Sequence, residues 1–172
     1  ITLGVMSLRF ATEFFNKLKK INLKPSIFIY KRSEKNPKWS DIFYVRASSI
    51  VFRDWFLSLS LNDVKKLLDK EIEFKREFVR GFYESEGYCG DSYIMMYNSD
   101  LGLLTLCKEL LTEFGIPSSI RGPIPPANPR WKDMYTLKVK REFMGDFLVA
   151  FKPIIKTPEY YELRKLNINA LQ

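Results

Sequence analysis

The chain has 172 residues, enough for one ordinary domain or two very small ones, and 46% hydrophobic with 15% aromatic residues supplies a core. Its 28 Lys and Arg against 20 Asp and Glu leave a net charge of +8, which favours a polyanionic partner, either nucleic acid or an anionic membrane surface. There is no histidine. That excludes a Ser-His-Asp triad, a Cys-His nucleophile, a His-ligated zinc and any nuclease built on a catalytic His, so carboxylates, lysines and a hard metal ion must carry any chemistry.

Ile1–Val5 reads as an interior strand. Ile42, Tyr44, Arg46 and Ser48 alternate onto one face of a later strand. Ile72, Phe74, Phe78, Phe82 and Tyr83 give a helix with an aromatic face. Gly81 and Ser85 are four apart on it, a pair of small residues that would let another helix approach closely. Glu84 and Glu86 sit where the helix macrodipole disfavours acids, which suggests a compensating cation, and Gly87 is a natural C-cap. Cys89 and Cys107 form no CxxC pair and fit a reducing, intracellular setting. The period of Leu101–Phe114 predicts a helix, begun near Asp100 and stopped by Gly115 and Pro117. Strands follow at Ser118–Arg121 and Met134–Lys140, across a loop rich in proline. In the second of these, Tyr135, Leu137 and Val139 share one face, while Met134, Thr136, Lys138 and Lys140 share the other. No apolar run is long enough to cross a bilayer.

The chain repeats itself. Asn36-Pro37-Lys38-Trp39-Ser40-Asp41 lies over Asn128-Pro129-Arg130-Trp131-Lys132-Asp133, a shift of 128 − 36 = 92. Leu18–Leu23 lies over Leu111–Ile116, a shift of 93. Two copies make a pseudo-symmetric pair rather than a solenoid. A sheet with an apolar side and a cationic side could lie along DNA and read base edges with alternating side chains.

Val79-Arg80-Gly81-Phe82-Tyr83-Glu84-Ser85-Glu86-Gly87 resembles the nine-residue signature of the LAGLIDADG homing endonucleases, in the form often seen in a second repeat. The duplication and the basic sheet strengthen the match. The resemblance implies an α+β fold of two αββαββα repeats with saddle-shaped antiparallel sheets, here residues 1–68 and 69–172, the second with its signature helix at about 72–86. A matching signature helix is expected ahead of Ile1. The implied activity is site-specific double-strand cleavage of DNA at an intron or intein insertion site, by a monomer acting as a pseudo-dimer in a prokaryote or an organelle. The rival is a nucleic-acid-binding protein of the same fold without cleavage, such as a splicing maturase or a DNA-binding regulator. The resemblance makes Glu86 the metal-binding acid, with Gly87 beside it, for Mg²⁺ or Mn²⁺. Glu84 points elsewhere and is structural. Lys156, with Lys152 as second choice, and Lys65 in the first copy are the candidate active-site lysines. Tyr44, Arg46, Ser48, Arg121, Lys132, Thr136, Lys138 and Lys140 are the candidate DNA contacts.

Overall fold

The computed structural model describes residues 1–126, 128, 130 and 132–159. The chain forms two compact units that divide between Leu59 and Ser60. In the first, β1 (Thr2–Val5), α1 (Leu8–Lys20), β2 (Ser26–Tyr30), β3 (Ile42–Arg46) and α2 (Ile50–Ser58) follow in order. The strands form an antiparallel sheet in the order β1-β3-β2. Ser7 and Ser49 begin the helices by accepting the N–H of Phe10 and of Phe52 on their hydroxyls. The small core of this unit comprises Ala11, Leu18, Val45 and Ala47. The alternation of β3 is as its sequence predicts, with Val45 and Ala47 buried and Arg46 and Ser48 exposed.

The second unit opens with α3 (Leu61–Leu68), closed at its start by a reciprocal Ser60–Asp63 capping box. It continues through α4 (Ile72–Glu86), β4 (Gly87–Gly90), β5 (Tyr93–Asn98), α5 (Leu101–Glu113), β6 (Ser118–Ile124), β7 (Met134–Val139), a 3₁₀ turn at Arg141–Phe143 and α6 (Met144–Phe151). Its antiparallel sheet runs β4-β5-β7-β6. Asp100 caps α5, and Gly115 ends it at φ +72, a left-handed conformation that glycine adopts without steric cost. Val79, Tyr83, Ile94, Met96, Leu104, Leu111, Leu137, Val139, Phe147 and Phe151 fill the core between the helices and one face of the sheet. Burial raises the Cys107 thiol to about 12, so this cysteine behaves as a core hydrophobe.

Strand pairing reproduces the sequence repeat. Leu3 faces Val45 as Met96 faces Leu137, and Ser26 faces Arg46 as Ser119 faces Lys138. The shifts are 96 − 3 = 93 on the outer strands and 137 − 45 = 92 on the central one, matching the two sequence shifts. Helices α1 and α5 are both 13 residues long. Compactness divides the chain ahead of the 68/69 repeat boundary, because α3 packs on α4 and α5. A segment can belong to one copy by duplication and pack with the other.

The two copies differ in what covers their last helix. At the 92-residue shift Asp54 lies over Asp146, Trp55 over Phe147 and Leu57 over Val149. Leu57 and Val149 are each 73% exposed. Phe147, however, is wholly buried, edge-on to Tyr83 of α4 at 4.9 Å and tilted against Phe151 at 4.8 Å, whereas Trp55 is exposed. Phe147→Ala should therefore cost about 3–5 kcal/mol of the second unit's stability, while Val149→Ala should stay within about 0.5 kcal/mol, as measured by urea unfolding.

Candidate active site and nucleic-acid face

Helix α4 turns Val79 and Tyr83 inward and packs Phe78 and Phe82 against the core, while Ile72 and Phe74 at its start are exposed, so the expected aromatic face is only partly buried. Val79 and Tyr83 are fully buried, and Phe78 stacks on Phe82 at 6.2 Å. Glu86 is its last residue and is exposed. Gly87 caps the helix, its N–H donating to the Tyr83 carbonyl, and at once begins β4. Its φ of −88 is open to any residue, so the left-handed cap that a glycine suggests is not formed. Glycine is needed here for space: a Cβ would overlap both the ring and the carbonyl of Tyr83. On the other side of α4, a Cβ at Gly81 would meet nothing within 4 Å, and Gly81 and Ser85 are exposed. Among the described residues, that pair of small residues has no close helix against it.

The segment after α6 returns to the end of α4. Tyr83 Oη donates to the Lys156 carbonyl at 2.6 Å, and Lys156 Nζ donates to the Ser85 carbonyl at 2.7 Å. The Ile154 N–H donates to Glu84 Oε1 at 2.5 Å. Glu84 is only 5% exposed and has Arg80 Nε at 3.8 Å, one helical turn back. Its carboxylate thus ties the segment after α6 to α4. Lys152 and Lys156 both hold left-handed backbone conformations, at φ 45 and φ 61, so the connection turns sharply twice. Lys152 is exposed and caps α6. Lys156 is half-buried, and this burial lowers its pKa; Glu86 and then Glu84 act in the opposite direction.

The structure thus brings Lys156 to the Glu86 end of α4. Lys65 is engaged elsewhere: its ammonium pairs with Glu109 of α5 at 2.9 Å. Glu86 and the Gly87 carbonyl are oxygen donors of the hard kind. No group of three His, Cys, Asp or Glu side chains that could hold a metal gathers among the described residues.

The sheet faces away from the helices are cationic and aromatic. No strand of either sheet contains an acid. In the second sheet Lys138 lies opposite Met95 and Ser119, and Thr136 opposite Tyr97 and Arg121. The Lys138 ammonium sits 5.6 Å from the centre of the Tyr93 ring. Arg121, Lys132 and Lys140 are exposed, the last two flanking β7 rather than within it. Thr136 is on this face but only 7% exposed, on the strand between its neighbours in the sheet. In the first sheet Tyr44 stacks on Phe28 at 5.4 Å, with Arg46 on the same face and Ser48 exposed beyond the strand end. Sequence reading missed Tyr88, Tyr93, Met95, Tyr97 and Ser119 as members of the open face. Tyr93–Asn98 shows no polar alternation, and only its register with β7 assigns its sides.

The contacts around Tyr83 and Glu84 should be separable by mutation. Tyr83→Phe should cost about 0.5–1.5 kcal/mol through loss of the hydrogen bond to the Lys156 carbonyl. Glu84→Ala, which strands the Ile154 N–H, should cost about 1–3 kcal/mol. Amide hydrogen exchange should show faster exchange at Ile154 in Glu84→Ala and unchanged exchange there in Tyr83→Phe.

The sequence model of the LAGLIDADG-like domain matches residues 73–152. The uncharacterized protein MJ0398 of Methanocaldococcus jannaschii is 35% identical over 105 residues, or 61% of this chain, and the chain spans 36% of that protein's length. Among solved structures, mesophilic variants of the homing endonuclease I-DmoI match with a TM-score of 0.62 at 17% identity, over 88% of this chain and 78% of theirs. I-DmoI in complex with DNA and Ca matches at 0.63 and 17% identity, over 96% and 82%. The N-terminal LAGLIDADG domain of DUF199/WhiA matches at 0.54 and 17% identity, over 88% and 72%. At such identities the structural likeness shows a shared fold. Residues 73–152 thus match a LAGLIDADG-like domain, and the chain shares the duplicated α+β fold of I-DmoI.

Proposed function

We propose that the protein is a site-specific DNA endonuclease that hydrolyses phosphodiesters with a divalent cation, acting as a monomeric pseudo-dimer at an intron or intein insertion site. The observation that carries the reading is that an exposed carboxylate, Glu86, and a half-buried lysine, Lys156, whose ammonium donates to the Ser85 carbonyl, lie at one helix end. The open, acid-free sheet faces support DNA as the substrate. The solved relatives add to this, since I-DmoI has been crystallised in complex with DNA together with Mn or Ca.

The donor set fits Mg²⁺ or Mn²⁺ in kind. These ions take oxygen ligands, keep several waters, and are commonly held by one or two carboxylates with substrate phosphate completing the shell. Glu86 and the Gly87 carbonyl would hold such an ion, and when bound it supplies Lewis-acid activation of water and neutralises phosphate charge. Lys156 Nζ, held at the helix end, stabilises the negative charge that grows on the phosphoryl oxygens. Lys138, Arg121 and Arg46 position the duplex through phosphates and base edges. Tyr44, Ser48, Lys132 and Lys140 are further candidate DNA contacts, while Lys65 is paired with Glu109 and Thr136 is buried between its strand neighbours.

A second reading is a nucleic-acid-binding protein that keeps the fold and does not cut. The match to the WhiA domain favours it, because the fold is shared with a protein not named as an endonuclease. Cleavage assays on the complete protein separate the two. Glu86→Gln should abolish Mg²⁺-dependent cleavage and leave DNA affinity within about threefold, because it removes a metal ligand and no base contact. Near wild-type cutting by this variant would remove Glu86 from the chemistry. Lys138→Ala should weaken specific binding by about 1–3 kcal/mol if it reads a base edge. If it meets only phosphate, specific and non-specific binding should fall together.

A further inference from the structure

We infer that the outer edge of β2 is a docking site for an extended peptide segment, apolar at its centre and acidic at its ends, which joins the sheet as a further strand. Such a partner is additional to the DNA proposed above and does not depend on cleavage. Among the described residues β2 pairs with β3 alone, so one row of its backbone N–H and C=O groups has no strand beside it. Edges of this kind template the addition of another strand, and proteins blunt them with charge, proline or a bulge.

The duplicate strand β6 is also an edge, and it carries all three devices. At the 93-residue shift Phe28 lies over Arg121, Ile29 over Gly122 and Tyr30 over Pro123. Pairing agrees with this overlay, since Phe28 faces Tyr44 as Arg121 faces Thr136. The register of β6 shifts between Arg121 and Ile124, with Gly122 at φ +129, and Pro123 has no N–H to offer. Ser26-Ile27-Phe28-Ile29-Tyr30 has none of these guards and pairs with β3 in unbroken register.

All five residues of β2 are exposed. Residues directly opposite share a face, so Ile27 and Ile29 lie on the core side of the sheet with Val45 and Phe43. Even so, Ile27 is 41% and Ile29 53% exposed, whereas the counterpart Ile120 packs on the core of its unit. Phe28 and Tyr30 line the other side. A strand laid along this edge gains apolar neighbours on both faces, and its backbone meets donors and acceptors in alternation. A phosphate backbone has acceptors and no donors, so it cannot complete that row. Charge then selects the occupant. Lys24 precedes β2, and Lys31, Arg32 and Lys35 follow it; the one acid in residues 24–35 is Glu34, which pairs with Lys31 at 2.9 Å. A second copy of β2 is disfavoured, because antiparallel pairing centred on Phe28 sets Lys24 (28 − 4) against Arg32 (28 + 4). Acids at both ends of the entering segment meet these cations instead.

The test uses the complete protein and a synthetic peptide of alternating valine and tyrosine with aspartates at both ends. At saturating peptide, hydrogen exchange should slow by about tenfold or more at those amides of residues 26–30 that β3 leaves unpaired. The same peptide with lysines at its ends should bind about tenfold more weakly, and one with a central proline should not bind. In the double variant Lys24→Glu, Lys35→Glu, at two exposed positions, the preference for acidic over basic ends should reverse. Equal binding of acidic and basic peptides, no slowing at these amides, or slowing centred outside residues 26–30 would overturn the proposal. So would the same slowing on raising the protein concentration without peptide, which makes a second copy the occupant, or on adding duplex DNA, which makes the edge part of the DNA surface. Affinity for duplex DNA is measured apart from these titrations, so either reading can fail while the other stands.

Discussion

The contact of Gly87 on Tyr83 is the constraint on which the candidate site depends. Because Gly87 lacks a side chain, α4 passes into β4 with no intervening loop, and Glu86 is held at the junction. The same Tyr83 ring packs edge-on to Phe147 in the core, and its hydroxyl holds the Lys156 carbonyl. Core packing, the position of the acid and the return of the lysine thus share one side chain. Glu84 adds the second tie, through the Ile154 N–H. A carboxylate buried to this degree is retained at a desolvation cost, which its hydrogen bond and the Arg80 guanidinium offset. A connection with two left-handed lysines needs such ties, since that backbone is otherwise disfavoured.

Electrostatics divides the molecule by element. Among the described residues, acids are absent from the strands and fall on helices and loops, where several pair with lysines: Asp69 and Glu113 with Lys75, Glu109 with Lys65. These exposed pairs contribute little to stability. Their effect is to leave the open sheet faces positive while the chain as a whole carries +8. Tyrosines there add hydrogen-bonding and stacking surface without adding charge, which suits contacts to base edges as well as phosphate.

Much of this was legible in the residues, for physical reasons that differ by element. The bounds of α4 follow from the aromatic period and from Gly87, and those of α5 from Asp100 and Gly115. The two faces of β7 follow from period-2 alternation in a half-buried strand. The repeat was legible because two rare tryptophans fall in register, and strand pairing then reproduced both shifts. What was not legible depends on tertiary neighbours. The sides of Tyr93–Asn98 are set by pairing, the packing of α3 by α4 and α5, and the steric need for Gly87 by Tyr83 beneath it. The placement of Lys156 came from resemblance alone; no local pattern shows that its carbonyl meets Tyr83.

The account stands or falls on whether the end of α4 is a cation site beside Lys156. Paramagnetic broadening by Mn²⁺ in the amide spectrum of the complete protein bound to DNA tests this without relying on cleavage. The account predicts selective loss of the Gly87 and Tyr88 amides, with weaker broadening at Lys156, all abolished in Glu86→Gln. Broadening centred on other residues, or the same broadening in Glu86→Gln as in the wild type, would contradict it.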